Sequence, residues 1–125
     1  MKKRRVLIIE DHVVTRKNLG RVLEDEGYDV ILAEDAETAL SLLTTVLPDL
    51  VITDLILPRQ DGLEVLLRVK EVLPSVPVIV CTAHVTEETW QELYRHGAIS
   101  CVEKPFTFEM LLDRVRHAFL VPVSV

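Results

Sequence analysis

Three acidic residues follow apolar runs of the chain, each at a point where a buried strand would end. Glu10 and Asp11 come directly after Ile9, and Asp54 comes directly after Thr53. Carboxylates held a few ångströms apart raise one another's pKa unless a cation neutralises them. All-oxygen ligation that leaves positions for water and phosphate suits Mg²⁺, or Mn²⁺, better than Zn²⁺. The residues therefore predict a divalent-cation site.

Two further motifs supply groups that complement such a site. Thr82, a hydroxyl donor, is followed by the small Ala83, and Lys104 is followed by Pro105. The proline indicates a fixed turn, a candidate for a cis peptide bond, that would aim the lysine. A cation, a lysine and a hydroxyl around one carboxylate are the groups needed to stabilise a phosphoryl group in transfer, with that carboxylate as nucleophile.

The elements that must position these residues alternate regularly along the chain. Five apolar, β-branched runs predict strands, and the segments between them repeat with the helical period. The predicted strands are Val6–Ile9, Tyr28–Ala33, Leu50–Thr53, Val76–Cys81 and Ile99–Val102. The first, third and fourth are apolar throughout and should be central, whereas the second and fifth should be edges. The pattern predicts a doubly wound α/β fold, a (βα)5 three-layer sandwich with a parallel sheet in the order 2-1-3-4-5.

Apolar residues fall on one stripe of the second and the last predicted helix. The second-helix stripe comprises Ala36, Ala39, Leu40, Leu43, Val46 and Leu47. The last-helix stripe comprises Phe108, Leu111, Leu112, Val115 and Phe119. The fourth helix, about Thr86–His96, offers only Trp90, Leu93 and Tyr94 to the core, so it should be the least firmly held helix.

Helix ends are marked as well. Asp35 and Thr107 are expected N-caps, Asp61 with Glu64 resembles a capping box, and Glu10 and Asp11 are candidates to cap the first helix. Gly27 and Gly97 stand where a helix C-terminus favours a left-handed residue.

In this strand order the direction of the connections reverses between the first and third strands. Ligands of such sheets bind outside the carboxyl ends of the strands at that crevice. Glu10, Asp11 and Asp54 are the residues predicted to lie there.

Composition narrows the function classes. The chain has 125 residues and a net charge of −6, and four of its 14 basic residues lie together at Lys2–Arg5, so the rest is more acidic still. We therefore expect no direct nucleic-acid binding. We also expect no membrane span, because no apolar stretch approaches the roughly 20 residues that a span needs. We expect one domain over residues 1–121 and a tail or linker stub over 122–125.

The two cysteines, Cys81 and Cys101, lie in apolar runs and indicate reduced thiols and a cytoplasmic protein. Because their strands should be neighbours, a redox pair is conceivable, although packing is the simpler interpretation. The histidines share no metal-binding spacing; they are His12, His84, His96 and His117.

In its motifs the sequence resembles the receiver domain of two-component response regulators, over essentially the whole chain. Glu10-Asp11 is similar to the family's acidic pair, Asp54 to its phosphoacceptor, and 54–62 to its acceptor loop. Thr82-Ala83 is similar to its hydroxyl–small pair and Lys104-Pro105-Phe106 to its lysine–proline loop. The resemblance implies the flavodoxin-like fold of that superfamily, which includes the chemotaxis regulators.

The resemblance also implies a function. Asp54 would accept a phosphoryl group from a phosphohistidine on a sensor histidine kinase or a histidine phosphotransfer protein. Asp11, Asp54 and the carbonyl of Ile56 would bind Mg²⁺ directly, with Glu10 acting through a water. Thr82, Ala83 and Lys104 would hold phosphoryl oxygens. The domain would catalyse only its own phosphorylation and dephosphorylation, and would not be an enzyme in the turnover sense.

The family transmits phosphorylation to the surface of its fourth helix, fifth strand and fifth helix, where a downstream effector or a second copy of the domain would bind. The usual aromatic residue of that switch is replaced here by Cys101, which is too small to act in the same way. Ile56 and His84 occupy family positions that tune dephosphorylation, and an apolar Ile56 predicts a long-lived phosphorylated form.

Rival functions lack their signatures. A nucleotide-binding or redox protein of this fold would need a glycine-rich or Ser/Thr-rich phosphate loop where Glu10-Asp11-His12 stands. A haloacid-dehalogenase-type phosphatase would need a second acid where Ile56 stands. A receiver-like interaction module that does not use phosphate remains an alternative, because Cys101 departs from the switch pattern.

Overall fold

A computed structural model describes residues 2–57, 62–83 and 86–120. In these residues five strands alternate with five helices along the chain. The strands are β1 (Arg5–Ile9), β2 (Asp29–Ala33), β3 (Leu50–Asp54), β4 (Val78–Thr82) and β5 (Ser100–Glu103). The helices are α1 (Val13–Asp25), α2 (Ala36–Val46), α3 (Gly62–Val72), α4 (Glu87–Arg95) and α5 (Phe108–Leu120).

The strands form one parallel sheet in the order β2-β1-β3-β4-β5, which confirms the predicted fold and strand order. The three central strands are almost wholly buried, as their continuous apolar runs require. β4 begins at Val78, two residues later than predicted, because the N–H of Val76 donates to the carbonyl of Leu73 in a turn.

Two apolar clusters, one on each face of the sheet, form the core. Helices α2, α3 and α4 cover one face, and the buried side chains there include Leu43, Leu66 and Leu93. Helices α1 and α5 cover the other face, where Leu23 and Leu111 are fully buried. The chain is therefore the three-layer sandwich that its alternation predicts.

Most predicted helix ends are observed. The carboxylate of Asp35 accepts a hydrogen bond from Thr38 N–H at 2.7 Å, and the hydroxyl of Thr107 accepts one from Met110 N–H at 3.1 Å. Gly27 and Gly97 have φ angles of 96° and 103°, in the region where glycine is favoured.

Some details of the helix predictions are wrong, and others concern residues that the structure does not describe. His12 caps α1 in place of the acidic pair, because its ring nitrogen faces Thr15 N–H. Leu47 ends α2 with a φ of 52° and is 57% exposed, and Phe108 is 44% exposed at the first position of α5, so neither belongs to the core. The proposed capping box and the predicted 122–125 tail involve positions outside the described residues.

The end of α5 packs beside the beginnings of β1 and β2. The ring of Phe119 stacks on Tyr28 at 5.7 Å between centroids, and the guanidinium of Arg4 lies 4.4 Å from the Phe119 centroid. These contacts fix the last turn of α5 at the amino end of the sheet.

Candidate functional site

The carboxyl ends of four parallel strands bring the predicted site residues to one edge of the sheet. Glu10 follows β1, Asp54 ends β3, Thr82 ends β4, and Lys104 follows β5. Asp54 is in register with Cys81, and Thr82 with Glu103, so the neighbouring strands end at nearly the same level. The sheet thus brings together residues that are as much as 94 positions apart in the chain.

Three carboxylates form the centre of this edge. One oxygen from each of Glu10, Asp11 and Asp54 lies within 4.8 Å of the others. Glu10 and Asp54 are buried, with 2% and 7% of their surface exposed, whereas Asp11 faces solvent. The cluster therefore has two buried carboxylates and one on its solvent side.

Lys104 neutralises part of this charge. Its Nζ lies 2.6 Å from Asp54 Oδ1 and 2.9 Å from Glu10 Oε1. The backbone N–H of Lys104 donates to the carbonyl of Thr82 at 2.8 Å, and the Lys104–Pro105 peptide bond is cis. The lysine is thus held between the two buried carboxylates by both its side chain and its backbone.

The environment moves the pKa values of the two buried carboxyls in opposite directions. Burial, together with its hydrogen bond to Glu10, raises the pKa of Asp54 to about 7 despite the nearby Lys104. Burial alone would raise the pKa of Glu10, but hydrogen bonds from Asp54, Lys104 and His12 N–H lower it to about 2. In the absence of a cation, the pair therefore holds a proton to an unusually high pH, on the Asp54 side.

These groups fit a hard divalent cation. The donors are all oxygens, they are close enough to share one ion, and Asp11 leaves an open side for water. A cation there would replace the shared proton and offset the desolvation of two buried carboxylates. The donor set is therefore appropriate to Mg²⁺, and it contains no nitrogen or sulfur ligand of the kind that zinc prefers.

Thr82 and Ala83 lie beside the lysine. Thr82 is buried and ends β4, and Ala83 is exposed just after it. Ala83 and Lys104 line a cavity of about 360 Å³ whose other walls are largely apolar. Those walls are formed by Thr15, Leu19, Pro105, Phe106 and Phe108.

The loop after β3 is closed by a tight contact with α3. The N–H of Gly62, the first residue of α3, donates to the carbonyl of Leu55. A Cβ at position 62 would overlap with the carbonyl oxygen of Asp54 and lie 2.7 Å from the Cα of Leu55. Glycine is therefore required where α3 starts against the end of β3. Ile56 in this loop has its side chain 60% exposed.

The edge strand β5 carries Cys101, whose side chain is buried on the face covered by α2, α3 and α4. Its backbone N–H donates to the hydroxyl oxygen of Tyr94 on α4 at 3.2 Å. The sequence prediction gave Tyr94 to the core, but 44% of this residue is exposed and its hydroxyl covers the open edge of the sheet. No short-range signal marks such a contact, since it depends on where α4 crosses β5.

The two cysteines do not form a pair. Cys81 packs with α1 and α5, whereas Cys101 packs on the opposite face of the sheet. Side chains alternate between the faces of a strand, and Cys101 is in register with Val80 instead of Cys81. Both thiols are free and buried, and burial raises the pKa of each. The conceivable redox pair is excluded, and packing accounts for both residues.

One residue predicted to tune dephosphorylation, His84, lies outside the described residues.

A doubly wound sheet with an acidic centre, a lysine and a threonine at its carboxyl edge defines the receiver class of signalling domains. The family model for the response regulator receiver domain matches residues 6–116, and the chain belongs to that family, which serves two-component systems. Receiver domains are not classical enzymes.

Relatives and solved structures agree with this assignment. The chain is 41% identical over 115 residues to the virulence transcriptional regulatory protein PhoP of Salmonella typhimurium, covering 90% of this chain and 50% of that protein. It is 37% identical over 112 residues to the response regulator MprA of Mycolicibacterium vanbaalenii, covering 90% of this chain and 48% of MprA. The chain thus spans about half the length of these curated relatives.

Among solved structures, the non-phosphorylated HemR receiver domain of Leptospira biflexa matches with a TM-score of 0.91 and 25% identity, covering 98% of this chain and 99% of that one. The chemotaxis protein CheY4 of Vibrio cholerae matches with a TM-score of 0.89 and 28% identity, covering 94% of this chain and 99% of CheY4. None of the helices in the described ranges combines the length and apolar character needed to cross a membrane.

Proposed function

We propose that the domain is a phosphoacceptor switch in which Asp54 accepts a phosphoryl group from a phosphohistidine in a Mg²⁺-dependent reaction. The observation that carries the proposal is the position of Lys104, whose Nζ lies 2.6 Å from Asp54 and 2.9 Å from Glu10 beside the open carboxylate of Asp11. A lysine paired with two buried carboxylates is suited to a site that handles additional negative charge.

The transfer is a substitution at phosphorus. An oxygen of the Asp54 carboxylate forms a bond to phosphorus as the P–N bond to the donor imidazole breaks, and the imidazole nitrogen keeps the bonding electron pair and takes up a proton. The nucleophile must be ionised, and burial raises the pKa of Asp54 to about 7 in the cation-free site, so any protonated fraction has to lose its proton first. Ligation of a cation would favour that loss.

Asp11, Asp54 and the carbonyl of Ile56 would hold Mg²⁺ directly, and Glu10 would act through a water. When bound, the ion offsets the charge of the transferred group and fixes its orientation. Glu10 also has a second role, because its Oε1 receives Lys104 and its Oε2 receives the N–H of His12 at 3.0 Å. This carboxylate therefore holds Lys104 in place beside the acceptor.

The remaining roles follow from position. Lys104 would exchange part of its contact with Asp54 for a phosphoryl oxygen, and the hydroxyl of Thr82 and the N–H of Ala83 would bind others. Movement of Thr82 would bias two arrangements of the surface formed by α4, β5 and α5. Cys101 takes the place of the usual aromatic in that switch, and His84 and Ile56 would tune the lifetime of the phosphorylated form.

The partners follow from the same chemistry. A sensor histidine kinase or a histidine phosphotransfer protein would supply the phosphoryl group, and a downstream effector or a second receiver would bind the switched surface. PhoP is named as a transcriptional regulatory protein, so an effector that controls transcription is one such output. Free buried thiols support a cytoplasmic location.

Intact mass spectrometry tests the proposal directly. The chain is incubated with Mg²⁺ and acetyl phosphate, which transfers its phosphoryl group with acetate as the leaving group. We expect one phosphoryl adduct in the wild type and none in Asp54→Asn or in samples with EDTA. Asp49→Asn is the matched control, since Asp49 binds Arg5 N–H at the other end of β3 and should leave the adduct unchanged.

The alternative is a receiver-like interaction module that does not use phosphate, which the replacement at Cys101 favours. Absence of an adduct with both acetyl phosphate and a phosphorylated histidine kinase would support that alternative and contradict the phosphoacceptor function.

A further inference from the structure

The loop between β1 and α1 carries two of the three carboxylates, so its shape decides where they point. Glu10 is fixed by Lys104 and by His12 N–H. Asp11 is different, because its side chain faces solvent and no hydrogen bond or ion pair restrains it within the described residues. Its carboxylate lies near the other two only because the backbone of the loop holds it there.

The side chain of Arg16, a residue of α1, binds two consecutive carbonyls of that loop. Its Nη1 donates to the carbonyl of Glu10 at 2.8 Å and lies 3.4 Å from the carbonyl of Asp11. Its backbone N–H donates to the carbonyl of His12 at 2.9 Å, but this is the first helical hydrogen bond of α1 and does not depend on the side chain. Arg16 is half-buried, and its side chain reaches back from the first turn of α1 over the loop.

We infer that Arg16 is a positioning residue for the cation site. Arg16 fixes the peptide groups on both sides of Asp11 and so orders the loop before the cation binds. The free energy of cation binding is then not reduced by the entropy cost of ordering the loop. This inference rests on the proposed function, but it concerns a residue that touches neither the cation nor the phosphoryl group.

The direction in which Mg²⁺ affinity changes when Arg16 is removed distinguishes a positioning role from a simple effect of its charge. A guanidinium close to the site repels a divalent cation, so if charge alone mattered, removal of Arg16 would tighten Mg²⁺ binding. If Arg16 positions the loop, its removal weakens binding. Loss of a group that orients metal ligands typically costs about 10-fold to 100-fold in affinity.

The test compares Arg16→Ala, Arg16→Lys and the matched control Arg21→Ala, each in the full chain. Arg21 is an exposed arginine further along α1, so its removal takes the same charge from the same helix. Mg²⁺ affinity is measured from the rise of Tm with Mg²⁺ concentration, each variant being referred to its own Tm in EDTA. We expect about a 10-fold weaker Kd for Arg16→Ala, an intermediate value for Arg16→Lys, and less than about a twofold change for Arg21→Ala.

A second measurement excludes a merely structural role. The rate of phosphorylation by acetyl phosphate is followed against Mg²⁺ concentration. Arg16→Ala should raise the concentration that gives half the maximal rate by about 10-fold and leave the rate at saturating Mg²⁺ nearly unchanged. In EDTA, hydrogen exchange of the Asp11 and His12 amides should be faster in Arg16→Ala than in Arg21→Ala.

The outcomes are distinct. Unchanged or tighter Mg²⁺ binding in Arg16→Ala, or a Kd equal to that of Arg21→Ala, overturns the inference. A wild type that gains no stability from Mg²⁺ and forms no adduct overturns the proposed function instead. In that case the exchange measurement still decides whether Arg16 orders the loop, and equal exchange in the two variants rejects that role.

Discussion

The carboxyl edge of the sheet and its α4–β5 edge are built in different ways. At the carboxyl edge, Glu10, Asp54 and Lys104 are buried or half-buried, and Lys104 makes short contacts to both carboxylates. At the α4–β5 edge, Leu93 is the fully buried side chain of α4, and Tyr94 is tied to β5 by one hydrogen bond of 3.2 Å.

If the domain acts as proposed, the difference separates the chemistry of the site from the response of the surface. Phosphoryl transfer requires charged groups that are fixed before the reaction, and the short contacts of Lys104 hold them at the carboxyl edge. A surface that two states must share has to be held weakly enough for small free energies to move it. On α4 the indole N–H of Trp90 is buried without a hydrogen-bond partner in the described part of the chain, which is consistent with modest stability there.

The largest expected effect is a loss of stability caused by steric overlap at the carboxyl edge. Gly62→Ala should lower the free energy of unfolding by about 3 kcal/mol, because the new methyl group meets the backbone of Asp54 and Leu55. Urea denaturation measures the change. Gly20→Ala is the matched control, since its Cβ would meet the flexible side chain of Leu32 at 3.2 Å. A Gly62→Ala protein as stable as Gly20→Ala would show that α3 can withdraw from the end of β3.

The next effect concerns charge at the same edge. The pKa of Asp54 is raised from 3.8 to about 7, so folding disfavours its ionised form and stability falls as the pH rises from about 4 to about 7. In metal-free protein at pH 8, Asp54→Asn should therefore raise the free energy of unfolding by about 2 kcal/mol. The amide oxygen can still accept from Lys104.

Denaturation in EDTA at pH 8 and at pH 4 checks this prediction, and the gain should be nearly absent at the lower pH. Asp11→Asn, which removes an exposed charge, should change stability much less. An equal change in stability at both pH values, or a loss of stability at pH 8, would contradict the raised pKa of a buried Asp54.

The third prediction concerns the rate of dephosphorylation and the loop after β3. The exposed apolar side chain of Ile56 should hinder approach of water to the phosphorylated acceptor. Ile56→Asn should speed loss of the phosphoryl group by about 10-fold, which corresponds to about 1.4 kcal/mol in the barrier. Decay of the intact-mass adduct after removal of the donor gives the rate. An unchanged rate would remove Ile56 from the tuning of the phosphoform.

The smallest effect probes the α4–β5 edge. Tyr94→Phe removes the hydroxyl that accepts from Cys101 N–H and should cost about 1 kcal/mol of stability. Hydrogen exchange of the Cys101 amide and the emission of Trp90, the single tryptophan of the chain, should both report loosening of α4. Tyr28→Phe, at the stacked pair with Phe119, is the control. Equal exchange in the two variants would mean that Tyr94 does not hold this edge.

The fold could be predicted because its determinants are local and repetitive. Continuous apolar runs such as Leu50–Thr53 identify central strands, and a strand order then places Asp54 beside Glu10 without any knowledge of contacts. Caps such as Asp35 follow from residue type and spacing over three positions. The composition of the acidic cluster was predictable for the same reason.

Other features depend on packing that short sequence patterns do not record. The period of α2 includes Leu47, but the chain turns into a left-handed conformation there and exposes it. The contacts of Arg16 and Tyr94 join a side chain to a backbone group whose position is set by the whole sandwich. Because β4 and β5 are neighbours, the sequence suggests that the side chains of Cys81 and Cys101 are in contact. Only the strand register shows that these side chains lie on opposite faces of the sheet.

The packing of Phe119 against Tyr28 and Arg4 places the end of α5 far from Asp54. Helix α5 begins beside the carboxyl edge of the sheet and runs 13 residues to the opposite end, a length of about 20 Å at the usual rise of an α-helix. In a longer protein, any segment that continues beyond residue 120 would leave from the pole opposite Asp54. Such a segment would begin far from Asp54, so if the domain is phosphorylated as proposed, it would respond through displacement of helices and not by direct contact with the site.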